Sequence, residues 1–244
     1  MTEHSTLITE RDASDPKSMV IRRAPRKRKS LVLWSGGLSS TWAVWRLLAE
    51  DTDEILLHHV HYRSRTADGT KISRLIETEE AAVRRAHQWI SETHRPLAYS
   101  DSVIDGTGFS NGADTLTNVI FAGAQAAMTW GLQSHDRIVI GAHQITSDAL
   151  NDQRARLRGI LHVNLLKAVM QTEKPPALTP LGLHRSKSAQ AQDLAGGLRE
   201  CVAYCETPMS TSEKKIRPCG QCPSCLAVFS TSKDDVARES DLIH

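Results

Sequence analysis

The sequence predicts an α/β protein built on a doubly wound parallel sheet, with a small cysteine-bearing module toward its C-terminal end. Three observations lead there. Short apolar runs alternate with segments of helical period, the run Leu31-Val32-Leu33-Trp34 feeds straight into Ser35-Gly36-Gly37, and all five cysteines follow residue 200. A chain of 244 residues can bury a full core, which favours one α/β domain with an appendage over two equal domains.

The leader comes first. Residues 1–29 hold eight Lys/Arg against four Asp/Glu, leaving 22 against 24 in the remainder. Within this stretch Arg22-Arg23-Ala24-Pro25-Arg26-Lys27-Arg28-Lys29 is either a solvated leader or a contact for nucleic acid or another anionic partner. With almost no apolar residue before Met19, the first part of the chain is expected to stay disordered. No run approaches the ~20 apolar residues of a membrane span, and no signal-peptide pattern opens the chain. The expectation is a cytoplasmic protein with no membrane association.

Four runs have the composition of buried parallel strands: Leu31–Trp34, Ile55–Val60, Pro96–Tyr99 and Arg137–Ile140. Between them Ile72, Leu75, Ile76, Val83, Ala86 and Ile90 recur at spacings of three, four and seven, one face of a helix. Further helices are expected over Ala113–Trp130, Arg154–Gln171 and Ser186–Gly196, with a Pro-rich connection at Lys174-Pro175-Pro176. Beyond Gly197 the hydrophobic period fades and cysteines appear. The predicted division is a leader at 1–29, an α/β domain at 30–200, a cysteine module at 201–230 and a polar tail at 231–244. Trp34 and Trp45 are read as core.

The Ser35-Gly36-Gly37-Leu38-Ser39-Ser40-Thr41 turn joins a strand to a helix, placing backbone amides and small hydroxyls where they can hold an anion. Parallel sheets of this kind bind ligands at the carboxyl ends of their strands, where this turn sits. At the other end, Cys219-Gly220-Gln221-Cys222-Pro223-Ser224-Cys225 stacks two Cys-X-X-Cys turns, and Cys205 precedes them. Four thiolates suit a closed tetrahedral zinc site, with Lys214, Lys215 and Arg217 offsetting its negative charge. Disulfides, a redox pair and the ligands of an iron–sulfur cluster are the competing readings, and Cys201 is the alternative fourth ligand. His58, His59 and His61 lie along one strand with no acidic ligand near them in sequence, whereas His143 follows Gly141 in the expected substrate loop.

The loop Ser35-Gly36-Gly37-Leu38 with Ser40-Thr41, joined to Cys205 and Cys219-X-X-Cys222-X-X-Cys225, resembles the 7-cyano-7-deazaguanine synthase (QueC) family of PP-loop ATP pyrophosphatases. Ile138-Val139-Ile140-Gly141 is similar to that family's strand before the substrate loop, Asp152-Gln153-Arg154 to its Asp-Cys-Arg, and Thr179-Pro180-Leu181 with Ser186-Lys187 to its Thr-Pro-Leu and Ser/Thr-Lys.

The resemblance implies an adenine nucleotide alpha hydrolase-like fold and an ATP-dependent carbon–nitrogen ligase that uses ATP, Zn and Mg. Its substrates would be 7-carboxy-7-deazaguanine and ammonia, giving first the amide and then the nitrile. Ser35, Gly36, Gly37, Leu38, Ser39, Ser40, Thr41 and Asn118 would bind nucleotide, and Lys187 would balance the leaving pyrophosphate. Asp152 would hold the guanine-like edge, Arg154 would pair with a carboxylate or phosphate, and Cys205, Cys219, Cys222 and Cys225 would hold zinc. A homodimer is expected.

The chain departs from the family pattern in three places. Ser39 replaces the loop acid, Thr117-Asn118 replaces Arg-Asn, and Arg63-Ser64-Arg65-Thr66 replaces Gly-Gln-Arg-His. These changes admit two other readings, a related ATP pyrophosphatase acting on tRNA or another carboxylate, and a nucleotide-binding zinc protein without catalysis.

Overall fold

The structure is a computed structural model that describes residues 7–11, 19–23, 26–63, 72–105, 115–143, 149–205, 209–210, 216–222, 224–226 and 228. An antiparallel pair, β1 (Leu7–Arg11) and β2 (Met19–Arg23), opens the chain. The expectation of disorder there is corrected in these two segments, where the β-branched residues Ile8, Thr9, Val20 and Ile21 supply strand propensity.

The main body follows as β3 (Arg28–Leu33), α1 (Leu38–Glu50), β4 (Asp53–Arg63), α2 (Ile72–Thr93), β5 (Ala98–Asp105), α3 (Thr115–Thr129), β6 (Arg137–Gly141), α4 (Ala149–Met170), β7 (Ala177–Leu181), α5 (Lys187–Asp193) and α6 (Gly196–Cys201). Two-residue strands β8 (Met209–Ser210) and β9 (Ile216–Arg217) pair further on. None of the described helices is long and apolar enough to cross a membrane.

The five-stranded sheet is parallel throughout, in the order β5-β4-β3-β6-β7. Successive residues of a strand point to opposite faces, and both faces are covered, which is why β3 and β6 read as unbroken apolar runs. Val32, Trp34, Leu57 and Val139 pack under α1, α2, α5 and α6. Leu31, Leu33, Leu56 and Ile138 pack under α3 and α4 with Ile120, Ala124 and Leu166. The doubly wound prediction holds. Strand order reverses between β3 and β6, so the crevice at their carboxyl ends is the place where such a sheet binds ligands.

A fifth strand, β7, was expected only as a Thr-Pro-Leu segment. Proline removes a ladder donor, and β7 tolerates Pro180 because it is the edge strand, paired only with β6. The single helix expected over Ser186–Gly196 is instead two, broken at Leu194 and Ala195, both with extended ψ.

At the amino end of the sheet, Asp53 is buried and accepts hydrogen bonds from Ser30, from Arg28 Nε at 3.1 Å and from Arg137 Nη2 at 2.8 Å. Burial by itself would raise this carboxyl. The Ser30 hydroxyl and the two guanidinium groups outweigh it and hold the pKa below the usual carboxylate range. Asp53→Ala leaves Arg137 with an uncompensated charge, and we expect a loss of about 3–5 kcal/mol in urea unfolding. The folded-state pKa is depressed, so this contribution is complete at neutral pH. It fades as pH falls through the folded-state value.

Candidate functional site

The loop after β3 is shaped by glycine. Gly36 has φ +74°, and a Cβ there would stand 2.8 Å from Val83 Cγ2 and 2.9 Å from the Glu79 carbonyl oxygen, so α2 packs directly onto the turn. Helix α1 begins at Leu38 with Gly37 as N-cap and no side-chain acceptor on its first amides. The positive end of a 13-residue helix therefore faces the crevice without a side-chain cap. Gly141 lets β6 approach the other side, since a Cβ there would lie 2.3 Å from Ser40 Cα.

Hydroxyls inside the turn bond one another. Ser35 Oγ lies 3.1 Å from Ser40 Oγ, the Gly37 amide donates to Ser35 Oγ at 3.2 Å, and Ser40 Oγ donates to the Gly37 carbonyl at 3.1 Å. Ser39 Oγ donates to Gln190 Oε1 at 2.8 Å and stands 3.4 Å from His143 Nδ1. Burial, with Lys187 nearby, lowers the His143 pKa, which leaves its imidazole neutral at pH 7. Gln190, fully buried on α5, also donates to the Ala142 carbonyl, tying α1, α5 and the loop after β6 together.

A cavity of about 550 Å³ opens over this turn. Ser35, Gly37, Leu38, Ser39 and Ser40 form its floor, and Lys187 and His143 line it from α5 and the loop after β6. Lys187 is the first residue of α5, capped by Ser186, whose Oγ accepts from the Ala189 amide at 3.1 Å. The far wall is the segment that enters the cysteine module. The Ala203 amide donates to the Gly36 carbonyl at 2.9 Å and the Leu38 amide to the Ala203 carbonyl at 3.0 Å, so the turn is clamped by backbone. Tyr204, Cys205 and Ser224 continue this wall, and Lys187 Nζ donates to Ser224 Oγ. The sequence placed the cysteines at the far end of the chain; folding returns them to the loop.

Cys205, Cys219, Cys222 and Cys225 bring their sulfurs within 4.8 Å of one another, and Cys219 Sγ lies 3.9 Å from Cys225 Sγ. Backbone amides point at them: Cys219 N donates to Cys205 Sγ at 3.2 Å, Cys222 N to Cys219 Sγ at 3.3 Å and Cys225 N to Cys222 Sγ at 3.4 Å. Amide donors of this kind stabilise sulfur charge when a metal binds. The set fits a metal ion. Burial and the neighbouring Cys222 thiol push Cys225 up to about 12, so a metal that binds here displaces protons and gains affinity as pH rises. Cys201, the alternative ligand, ends α6 and donates its thiol to the Gly197 carbonyl, outside the cluster. Lys214, Lys215 and the Arg217 side chain lie outside the described residues.

Several predicted residues stand elsewhere. Thr41 is fully buried and its hydroxyl accepts from the Trp34 indole at 2.9 Å, so it is core and not a phosphate ligand. Gly36 shapes the turn without lining the cavity. Asn118 donates to Tyr62 Oη at 3.3 Å, because the helical period of α3 gives the cavity Thr115, Leu116 and Val119 instead. Thr117 lies 3.2 Å from His162 Nε2 on α4 and does not line the cavity. The side chains of Asp152 and Arg154, and residues 64–66 of the altered Arg63-Ser64-Arg65-Thr66 segment, lie outside the described residues. Trp34 is buried and Trp45 packs against the same cluster, both as expected.

No motif points to Glu79, which lines the cavity from α2. Nor did it pair the histidines with acids. His61 Nδ1 lies 2.9 Å from Glu80 and its Nε2 3.5 Å from Asp101, contributed by α2 and β5. Among the described residues, the four cysteines are the one group whose ligand atoms converge on a metal position.

No family model and no curated protein matches this chain. Among solved structures it is similar to the U34-tRNA thiolase NcsA from Methanococcus maripaludis with its [4Fe-4S] cluster, at 13% identity and a TM-score of 0.44, covering 88% of this chain and 67% of that one.

The basic leader meets the sheet at its opposite end. Arg28 and Lys29 belong to β3; Arg28 pairs with Asp53, and Lys29 Nζ donates to the Trp130 carbonyl at 2.9 Å. From there β3 runs roughly 20 Å to the cavity.

Proposed function

We propose that this chain is an ATP pyrophosphatase of the PP-loop class that adenylates a carboxylate, and within that class a 7-cyano-7-deazaguanine synthase-like ligase. The observation that carries the reading is one cavity at the switch point of the sheet, floored by Ser35–Ser40, lined by Lys187 and walled by the four-cysteine module. Amides at the start of α1 and small hydroxyls hold the phosphates, and Lys187 balances the pyrophosphate that leaves. No protein nucleophile is required, since the work is positioning and charge stabilisation.

In the first half-reaction a carboxylate oxygen of 7-carboxy-7-deazaguanine bonds to the α-phosphorus of ATP and the bond to the β-phosphate breaks, releasing pyrophosphate. Ammonia then bonds to the acyl carbon, AMP departs with the electron pair of its C–O bond, and a proton is lost from nitrogen. His143, which lines the same cavity and whose pKa is lowered by burial, is proposed to take that proton. A second ATP adenylates the amide oxygen; loss of AMP and two protons from nitrogen leaves the nitrile. Ser39 does not disable the loop in this scheme, because its hydroxyl serves to fix α1 against Gln190 and His143.

The four cysteines are proposed to hold zinc. An ion reaching ~2.3 Å to each of four sulfurs sets them ~3.8 Å apart, and the Cys219–Cys225 separation of 3.9 Å agrees with it. Zinc there organises the wall of the cavity and takes no part in the chemistry. Of the leader's described side chains, Lys27 pairs with Asp51 and Arg28 with Asp53 at the far end of β3.

Mass spectrometry of zinc-loaded protein with ATP, Mg²⁺, ammonium and 7-carboxy-7-deazaguanine tests the reading. AMP, the amide and the nitrile are expected. No AMP under any condition contradicts an enzyme of this class, and metal analysis that finds iron contradicts zinc.

A further inference from the structure

We propose that Glu79 is the ligand that brings a divalent cation to the polyphosphate, a reading that rests on nucleotide binding in the cavity just described. Among the described residues that line this cavity, Glu79 is the one carboxylate. It shares the cavity lining with Ser35, Gly37, Ser39 and Lys187, and His143, Tyr204 and Cys205 are the other titratable residues there. Its backbone is fixed at the elbow of the phosphate turn, where the Glu79 carbonyl stands 2.9 Å from the position a Gly36 Cβ would take. The backbone that carries the Glu79 side chain is therefore held against the loop.

Glu79 makes no hydrogen bond or ion pair with a side chain among the described residues, while its neighbour Glu80 is engaged by His61. Burial pushes the Glu79 carboxyl up to about 7, the signature of an acid without a donor. A lone carboxylate beside a polyphosphate is repulsive unless a cation stands between them. Magnesium is bound in just that way, by one or two carboxylates together with substrate phosphates. The loop's own hydroxyls are weaker ligands for a hard cation, and that of Ser39 is already held by Gln190. The donor set of the cavity thus fits Mg²⁺ at Glu79 and not at the turn itself.

Isothermal titration of ATP into the full chain tests this in chelator-free buffer at pH about 8, where the Glu79 carboxyl is ionised. With wild type, Mg²⁺ should tighten ATP binding by about tenfold or more, since it converts repulsion into a bridge. With Glu79→Gln the gain should shrink below about twofold, and metal-free ATP should bind at least as tightly as it does to wild type. Glu79→Asp, which keeps the charge, should restore part of the Mg²⁺ gain and guards against a folding artefact. Equal Mg²⁺ gains in wild type and Glu79→Gln overturn this inference alone. A wild type that binds no ATP with or without Mg²⁺ overturns it together with the nucleotide reading.

Discussion

Cys225→Ser is expected to strip the metal and open the wall of the nucleotide cavity. Cys225 is fully buried and its sulfur stands 3.9 Å from that of Cys219. A serine hydroxyl stays protonated near neutral pH and is a poor ligand for a thiophilic ion. Metal binding and folding of so small a module are one equilibrium, so loss of the ion is loss of its structure. Cys205 lies two residues beyond Ala203, whose amide and carbonyl hold Gly36 and Leu38. Disorder in the module is thereby delivered to the phosphate turn. Metal content should fall from about one per chain to near zero, ATP affinity should drop more than about tenfold, and Tm should decrease by roughly 10 °C. Cys201→Ser is the control. Its thiol donates to the Gly197 carbonyl at 3.2 Å, outside the sulfur cluster, and all three measurements should stay near wild-type values.

Lys187→Ala should separate binding from stability. The ammonium is the cation on the cavity wall, brought there by the Ser186 cap at the start of α5. Removing a charge-assisted contact to phosphate should weaken ATP binding by about 10- to 100-fold, and pyrophosphate release should fall at least as far, because charge on the leaving group grows along the reaction. Its bond to Ser224 is a small part of the packing between α5 and the cysteine module, so Tm should move by only about 1–3 °C. Arginine at this position is not an equivalent replacement, since a planar fork demands a different phosphate geometry from that of a compact ammonium. A Lys187→Ala protein with unchanged ATP affinity places the triphosphate elsewhere.

The parts of this architecture that were legible in sequence are those written in local patterns. Leu31–Trp34, Ile55–Val60 and Arg137–Ile140 fall on β3, β4 and β6, because strands covered on both faces leave continuous apolar runs. The turn at Ser35-Gly36-Gly37 was legible because its glycines answer a local need, a positive φ at Gly36 under α2. The four metal-ligand candidates were legible because two Cys-X-X-Cys turns are a spacing signal.

What escaped was set by tertiary neighbours. Glu79 reads as part of a solvated acidic run, Glu77-Thr78-Glu79-Glu80, and only the packing of α2 on Gly36 turns it toward the cavity. Thr41 and Asn118 read as ligands by their place beside the motif, yet the indole of Trp34 and the hydroxyl of Tyr62 claim them. The return of Ala203 to clamp Gly36 and Leu38 leaves no trace in the sequence near the loop. β7 was hidden by Pro180, which an edge strand accepts and a central strand does not.

A crystal structure of the full chain with Mg²⁺ and α,β-methylene-ATP, in which the reactive phosphoryl bond is blocked, tests the central claim most directly. The account predicts phosphates seated on the amides and hydroxyls of Ser35 to Ser40, within reach of Lys187, with the adenosine between β3 and β6 and the Ala203–Cys205 wall. Nucleotide bound at any other place, or bound there with its base over the turn and its phosphates toward solvent, would contradict it.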